Sequence, residues 1–532
     1  MSTRHVDAVV VGAGFAGLYA LHKLRQQGLD VQVFEAGSDV GGTWFWNRYP
    51  GARCDIQSVF YNYTFDDDLA REWVWSEKYA SQPEILRYLQ HVADRFDLRR
   101  DIALETRVTE LRFDEDNSRW SVRTDAGETL EATYVVLGVG LLSSANMPDI
   151  PGRDDFAGPI LHTGHWPHEP VDFTGKRVGI IGTGSSGIQT IPIVAEQAEH
   201  LTVFQRTPNF SLPAHNSAPD AEEVAALRAR HPEVREQLRN SSYGILHDPP
   251  TQGALDVSDE ERVATYASRW DDGTLTGILQ SYNDLVRNQA SNDTASEFVR
   301  SKIAEMVDDP EVAEDLVPRG YAFGTKRPCL DTGYYATYNR DNVELVSIRR
   351  TPIERITPSG VRTSAGEHPL DVLIFATGYD AMTGSLLAME IFGRDGLSLR
   401  EAWADGPSSM LGIAVAGFPN LFTITGPGSP SALSNAVISI EQHVEWVSDL
   451  LAHLRSEGLQ VAEADEVAQK EWTAHVQAAG NATLYPQTDS WYMGANIPGK
   501  PRVFLPYIGG VGAYRAHCDR VADDGYPGFA LS

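Results

Sequence analysis

Twice in this chain a short apolar strand runs into a G-x-G-x-x-G loop and out into a helix, and no other feature constrains the fold as tightly. In the first copy Ala8 to Val11 leads into Gly12, Gly14 and Gly17, with Phe15 and Ala16 inside the loop. A helix is predicted from Leu18 to about Arg25, and the next strand, Val31 to Phe34, ends on Glu35. In the second copy Val178 to Ile181 leads into Gly182, Thr183, Gly184, Ser185, Ser186 and Gly187, and the strand Leu201 to Phe204 ends on Gln205, Arg206 and Thr207. Glu35 follows Gly12 by 23 residues, and Gln205 follows Gly182 by the same 23. A lone G-x-G-x-x-G is a weak signal. Two of them, equally spaced and each between a strand and a helix, predict an α/β chain with two Rossmann-like dinucleotide-binding domains.

Glycine permits the tight turn and lets the backbone approach a pyrophosphate, which sits on the helix N-terminus where free N–H groups and the dipole attract anions. The residue closing each unit reads the ribose. Glu35 can accept hydrogen bonds from a 2′-hydroxyl, so the first site is expected to take FAD or NAD. Gln205 is neutral and Arg206 cationic, which removes repulsion against a 2′-phosphate and adds a planar donor fork. The second site is therefore expected to take NADP.

The 532 residues are ample for several cores. A formal net charge of −29 argues against nucleic acid and anionic membranes as partners and mainly confers solubility. Cys54, Cys329 and Cys518 are too few and too scattered for a disulfide framework or a zinc site, so no metal is expected and a reducing, cytoplasmic compartment is the default. Val6 to Leu24, preceded by Arg4 and His5, could be read as a signal-peptide core, but the glycine pattern and the absence of a cleavage region favour the strand-loop-helix unit. No apolar run approaches the length that spans a bilayer. A monomer or weak homo-oligomer is expected.

A helix is announced by Ser81 and Pro83, and short β runs follow at Leu104 to Phe113, Trp120 to Thr124 and Glu128 to Ala132. Two strands end in glycine, Tyr134 to Leu137 before Gly138-Val139-Gly140 and Asp371 to Ala376 before Thr377-Gly378. They bracket the second glycine unit and mark where the chain passes between domains. Between Ser211 and Thr325 this grammar gives way to helical segments such as Glu222 to Arg230 and Ser296 to Met306, and Asp308-Asp309-Pro310 reads as a helix boundary. The expected division is 1–144 with 379–532 for the FAD domain, 145–210 with 326–378 for the NADP domain, and 211–325 as a helical insertion in the latter.

A flavin site and an NADP site in one chain point to hydride transfer from NADPH to flavin, and the electron acceptor then defines the chemistry. A disulfide reductase needs a redox-active cysteine pair, and no C-x-x-C or C-x-x-x-x-C is present. Oxygen is the next candidate, because reduced flavin adds it to give a C4a-peroxide. Here the residues carry a resemblance. Phe156, Gly158, His162 and Trp166-Pro167 fit F-x-G-x-x-x-H-x-x-x-W-P, the fingerprint of type I Baeyer–Villiger monooxygenases. Gly41-Gly42-Thr43-Trp44 through Tyr49-Pro50-Gly51 to Asp55 fits that family's other long motif. The likeness extends to Lys326-Arg327 and to Ser490-Trp491-Tyr492 through Pro498-Gly499-Lys500, and is greatest to the members acting on phenylacetone and steroids.

The resemblance implies oxidation of a ketone to an ester or lactone by NADPH and molecular oxygen, through the flavin peroxide and a Criegee intermediate. The alternative is an N- or S-oxygenating flavin monooxygenase. By resemblance Arg327 is the catalytic arginine and Asp55 the carboxylate that positions it; read without the family, the two would be an ordinary surface ion pair. Lys326, Arg206 and Thr207 are implied at the NADP 2′-phosphate and ribose, and Trp491 in a loop that closes over NADP. Gly42, Thr43, Trp44, Trp46, Arg53, Tyr61, Val108 and Gln189 complete the implied cofactor-binding set. Gly426 to Leu433 resembles the substrate-pocket loop of the aryl- and steroid-ketone members. His162 and Trp166 read as a linker knot, since no third ligand accompanies His162 and His165 and tryptophan does not bind metal.

Overall fold

The computed structural model describes residues 4–532. Arg4–Val11 lies at the centre of the first sheet, parallel to Val31–Phe34 on one side and to Thr129–Leu137 on the other. Its side chains alternate between two cores, Ala8 and Val10 in one, Val9 and Val11 in the other. Burial on both faces is why it reads as an unbroken apolar run. The two runs expected at Glu128 to Ala132 and Tyr134 to Leu137 form one strand. Its first half pairs antiparallel with Arg119–Thr124 and its end pairs parallel with Leu421–Thr423, so the change of partner, not a break in the chain, produced the split pattern.

The second sheet is all parallel, in the order Val343–Ser347, His200–Gln205, Arg177–Ile181, Val372–Phe375, Ile160–His162. Parallel order places the C-terminal strand ends, where ligands bind in open α/β sheets, along one edge. Along the chain, between His200–Gln205 and Val343–Ser347 of this sheet, come the helices Ala221–Ala229, His231–Asn240, Asp259–Asp272, Gln289–Met306 and Pro310–Leu316. Gln289–Met306 begins earlier than its apolar pattern suggests, because Asn288 caps Ala290 and Ser291. Asp309 caps Glu311 and Val312 at the boundary read from the sequence. Ser211–Pro213 pairs parallel with Cys329–Asp331 in a two-stranded sheet of its own, so this helical segment leaves and returns side by side, and its return delivers Lys326 and Arg327.

The chain crosses between the sheets twice, and the crossings are tied together. The Asn146 amide donates to the Gly378 carbonyl at 2.9 Å, and Ala145 bridges Tyr379. His162 fastens the knot. Its Nδ1 accepts from the Gly164 amide at 2.9 Å, and its Nε2 lies 3.3 Å from both the Asn146 carbonyl and the Thr377 hydroxyl. Burial pushes the His162 pKa down, with the Asn146 carbonyl opposing, and a neutral ring protonated on Nε2 satisfies every partner. Gly158 is obligatory here, because a Cβ would stand 2.2 Å from the Asp371 carbonyl oxygen.

Candidate active site

Both glycine loops open into one cavity of about 1280 Å³. Phe15–Gln26 starts three residues earlier than expected because Gly14 is its N-cap, and Gly184 plays the same part for Ser185–Gln197. Neither cap has a side-chain partner for the free amides, and neither first turn carries an acidic residue. Two uncapped helix N-termini facing a shared cavity fit two pyrophosphates. Gly12, Gly17 and Gly187 lie behind the wall and serve packing. A Cβ on Gly17 would fall 1.7 Å from the Gly12 carbonyl oxygen, and one on Gly187 2.3 Å from that of Gly182.

Glu35 is 4% exposed and each carboxylate oxygen already holds one backbone amide, Ala13 at 2.7 Å and Gly37 at 2.7 Å. It braces the loop from beneath. Gln205 is turned away from the cavity as well: its Oε1 accepts from Thr183 and its Nε2 donates to the Asp315 carbonyl. The residues that do face the cavity from that strand end are Arg206 and Thr207.

Arg327 and Asp55 meet in the cavity wall, in a pair that is bidentate: Nε to Oδ2 at 2.7 Å and Nη2 to Oδ1 at 2.8 Å. Nη1 donates to the Ala432 carbonyl at 3.2 Å. Burial alone would loosen the guanidinium's proton, but Asp55 and the neighbouring Tyr492 hydroxyl outweigh it and hold Arg327 well above the ordinary arginine range. Each of the two side chains stays 22% exposed, enough for a small molecule to reach. Of five N–H groups on the guanidinium, three are engaged by Asp55 and the Ala432 carbonyl, and the others are shared between the neighbouring Tyr492 hydroxyl and the cavity.

The motif around Asp55 docks the first unit on the second. Tyr49 donates to Gln189 Oε1 at 2.8 Å, Gln189 Nε2 donates to the Arg53 carbonyl at 3.1 Å, and a Cβ on Gly51 would lie 2.2 Å from the Gln189 carbonyl oxygen. Gly51 also has φ of 81°, a conformation suited to glycine. This segment therefore aims Asp55 at Arg327 from across the cleft. Gly42, Thr43, Trp44, Arg53 and Tyr61 line the same side, and the Trp44 indole donates to the Tyr61 hydroxyl at 3.3 Å.

Around the second loop the wall is cationic. Burial lowers the Lys326 pKa, and Arg206 and Arg349 lower it further, with Asp489 opposing. Arg349 escaped the sequence reading. It follows Val343–Ser347, which pairs with His200–Gln205, and this brings its Nη2 to 3.3 Å from the Thr207 hydroxyl. Its signal was a basic residue just past an apolar strand, at the end of a parallel sheet where ligands bind.

Trp491 lines the cavity and packs on Tyr492 with ring centroids 4.2 Å apart. Its loop is tied to the second crossing: Asn496 donates to the Tyr379 carbonyl at 2.8 Å, and Lys500 reaches Asp380 at 2.5 Å and the Ala381 carbonyl at 2.8 Å. Besides Gly12, Gly17, Gly187 and Glu35, two further implied cofactor residues are set apart from the cavity. Trp46 points toward Phe45 and His165, and Val108 is buried at the start of Val108–Asp114 in the second core of the first sheet. Trp46 lies on the far side of the four-residue helix Thr43–Trp46, whose other face carries Trp44 to the wall.

The pyridine nucleotide-disulphide oxidoreductase family model matches residues 9–238, although Cys54, Cys329 and Cys518 are all buried and unpaired. The chain is 44% identical to acetone monooxygenase (methyl acetate-forming) of Gordonia sp. (strain TY-5), with 100% of each covered. It is also 44% identical to a Baeyer–Villiger monooxygenase of Pseudooceanicola batsensis, covering 98% of this chain and 95% of that one. A phenazine N-monooxygenase of Lysobacter antibioticus is 44% identical, with 99% and 97% covered. Among solved structures, oxidized steroid monooxygenase bound to NADP aligns with a TM-score of 0.95 at 52% identity over 99% of each chain. OTEMO in complex with FAD and NADP aligns at 0.96 and 41% identity over 100% of each. With identity sustained over the full length and the Arg327–Asp55 pair set between two nucleotide cradles, the chain belongs to the Baeyer–Villiger monooxygenases.

Proposed function

We propose that Arg327, held by Asp55, stabilises the charge that develops as this enzyme converts a ketone into an ester or lactone with NADPH and molecular oxygen. The first glycine unit and its sheet hold FAD, the second unit and its sheet hold NADP, and the 211–325 insertion is a helical extension of the second. When bound, FAD supplies the activated oxygen and NADPH the electrons. The observation that carries the reading is the bidentate Arg327–Asp55 pair in the wall of the one cavity that both loops share.

Asp55 uses both oxygens on one edge of the guanidinium, and the Ala432 carbonyl fixes a third donor. The plane is thereby set before substrate arrives, so the donors left facing the cavity need no reorganisation as negative charge moves onto the former carbonyl oxygen. A lysine in this place would present a point charge without that planar fork. Arg206, Lys326, Thr207 and Arg349 recognise the 2′-phosphate end of NADP, and Trp491 covers the nucleotide.

A second reading, N-oxygenation, has one specific support: a relative named as a phenazine N-monooxygenase shares as much sequence as the ketone oxidisers do. Mass analysis of products from a panel of ketones, amines and sulfides decides between them. One oxygen inserted beside a ketone carbonyl is expected; oxygen on nitrogen or sulfur alone would favour the second reading. We further propose a cytoplasmic location and a monomer or weak homo-oligomer. No helix among the described residues is long and apolar enough to cross a membrane.

A further inference from the structure

Thr425 lies in the cavity wall with φ of 58°, in the left-handed region where a β-branched residue is a genuine outlier. Fully buried Leu411 shares the anomaly, with φ of 60°. Such residues persist only where their surroundings over-determine them, and they cluster at functional sites. A single chain of hydrogen bonds joins these two. The Thr425 amide donates to His443 Nδ1 at 3.0 Å, His443 Nε2 meets the Tyr514 hydroxyl at 2.8 Å, and that hydroxyl donates to the Leu411 carbonyl.

The ends of the chain fix its direction. A backbone amide only donates and a backbone carbonyl only accepts. His443 must therefore carry its proton on Nε2, and Tyr514 must turn its hydroxyl toward Leu411. His443 and Tyr514 are both buried, on the helices Ala436–Glu457 and Val511–Asp523, and their rings pack 5.5 Å apart. The path continues from the strained turn to the proposed active site. The Thr425 carbonyl accepts from Ser431 Oγ at 3.3 Å, and the next residue, Ala432, gives its carbonyl to Arg327 Nη1.

We propose that His443 is a positioning residue: with Tyr514 behind it, it holds Thr425 in its strained turn, and the turn sets the carbonyl that orients Arg327. The inference rests on the reading of Arg327 given above. It assigns His443 and Tyr514 no contact with substrate or cofactor.

The holoenzyme tests this. His443→Leu removes the acceptor for the Thr425 amide, whereas His443→Asn places a side-chain carbonyl near the former Nδ1. In His443→Leu, amide exchange over residues 421–434, read by mass spectrometry, is expected to speed up about tenfold, and ester formed per NADPH oxidised to fall about tenfold. His443→Asn should stay within about threefold of the parent in both. Should His443→Leu not fold, Tyr514→Phe, which deletes only the hydroxyl, is expected to change both readings in the same direction by about threefold.

A Thr425→Gly background separates positioning from packing, because glycine adopts this φ without strain. There the loss caused by His443→Leu should shrink to below about threefold. Equal losses in both backgrounds, or unchanged exchange over 421–434, would overturn the proposal. Faster exchange with undiminished ester would overturn the step from the turn to Arg327. If Arg327→Ala then also left the yield intact, the fault would lie in the reading of Arg327 itself.

Discussion

The two glycine units share a motif and a spacing and open into one cavity, yet the space around the middle glycine differs. In the first, a Cβ on Gly14 would stand 3.2 Å from the Gly42 Cα, whereas the outer glycines Gly12 and Gly182 are crowded alike, with a Cβ 2.7 Å and 2.4 Å from a backbone carbonyl oxygen. In the second, a Cβ on Gly184 meets no protein atom within 4 Å, and two exposed arginines, Arg206 and Arg349, flank the mouth. A crowded loop suits a nucleotide that stays, and an open cationic one suits a nucleotide that arrives and leaves. The same six-residue pattern thus serves a resident and an exchanging cofactor, with the difference made by what packs around it.

The largest effect is expected where the two units agree, at Gly17, the counterpart of Gly187. Gly17→Ala would put a methyl group 1.7 Å from the Gly12 carbonyl oxygen, which has no room to yield. We expect this variant to purify without flavin or not to fold at all; a holoprotein of normal yellow absorbance would refute the close packing of the first loop on its helix. Gly184→Ala comes next. Its methyl group enters only the cavity, so flavin content and melting temperature should match the parent. The KM for NADPH should rise about ten- to a hundredfold, because the added carbon occupies the space through which the backbone approaches the pyrophosphate. Flavin loss in this variant would erase the distinction between the two units.

Arg349→Ala is the smallest of the three. Arg349 is solvent-exposed, so screening limits its contribution, and a rise of about three- to tenfold in the Kd of adenosine 2′,5′-bisphosphate is expected. Binding of 5′-AMP should not change. Equal weakening of both ligands, measured by calorimetry, would show that Arg349 acts on shape and not on the 2′-phosphate.

These differences mark where sequence reasoning ran out. The loops themselves were legible because glycine reports a local backbone need, and Asp309 was legible because capping is local too. Arg349, however, owes its place to the pairing of two strands more than 130 residues apart, and no local pattern encodes that. Glu35 and Gln205 were correctly placed at strand ends, but their side chains' partners, Gly37 and Asp315, became visible only with the packing. Thr425 carries no sequence signal beyond standing just ahead of the loop Gly426 to Leu433. Its strain and its tie to His443 depend on two C-terminal helices meeting behind the cavity. Asp55 and Arg327 were brought together by family resemblance alone, and the physical reason is the docking of Tyr49 and Gly51 on Gln189.

The central claim is that the two nucleotide sites converge on Arg327. The most direct measurement is a two-step rapid-mixing experiment on Arg327→Ala: anaerobic reduction by NADPH, then mixing with oxygen and ketone, with the ester quantified. Flavin reduction should proceed while ester falls about a hundred- to a thousandfold, the loss typical of removing one pre-aimed donor. Ester formed at the parent's yield, with reduction equally intact, would contradict the account.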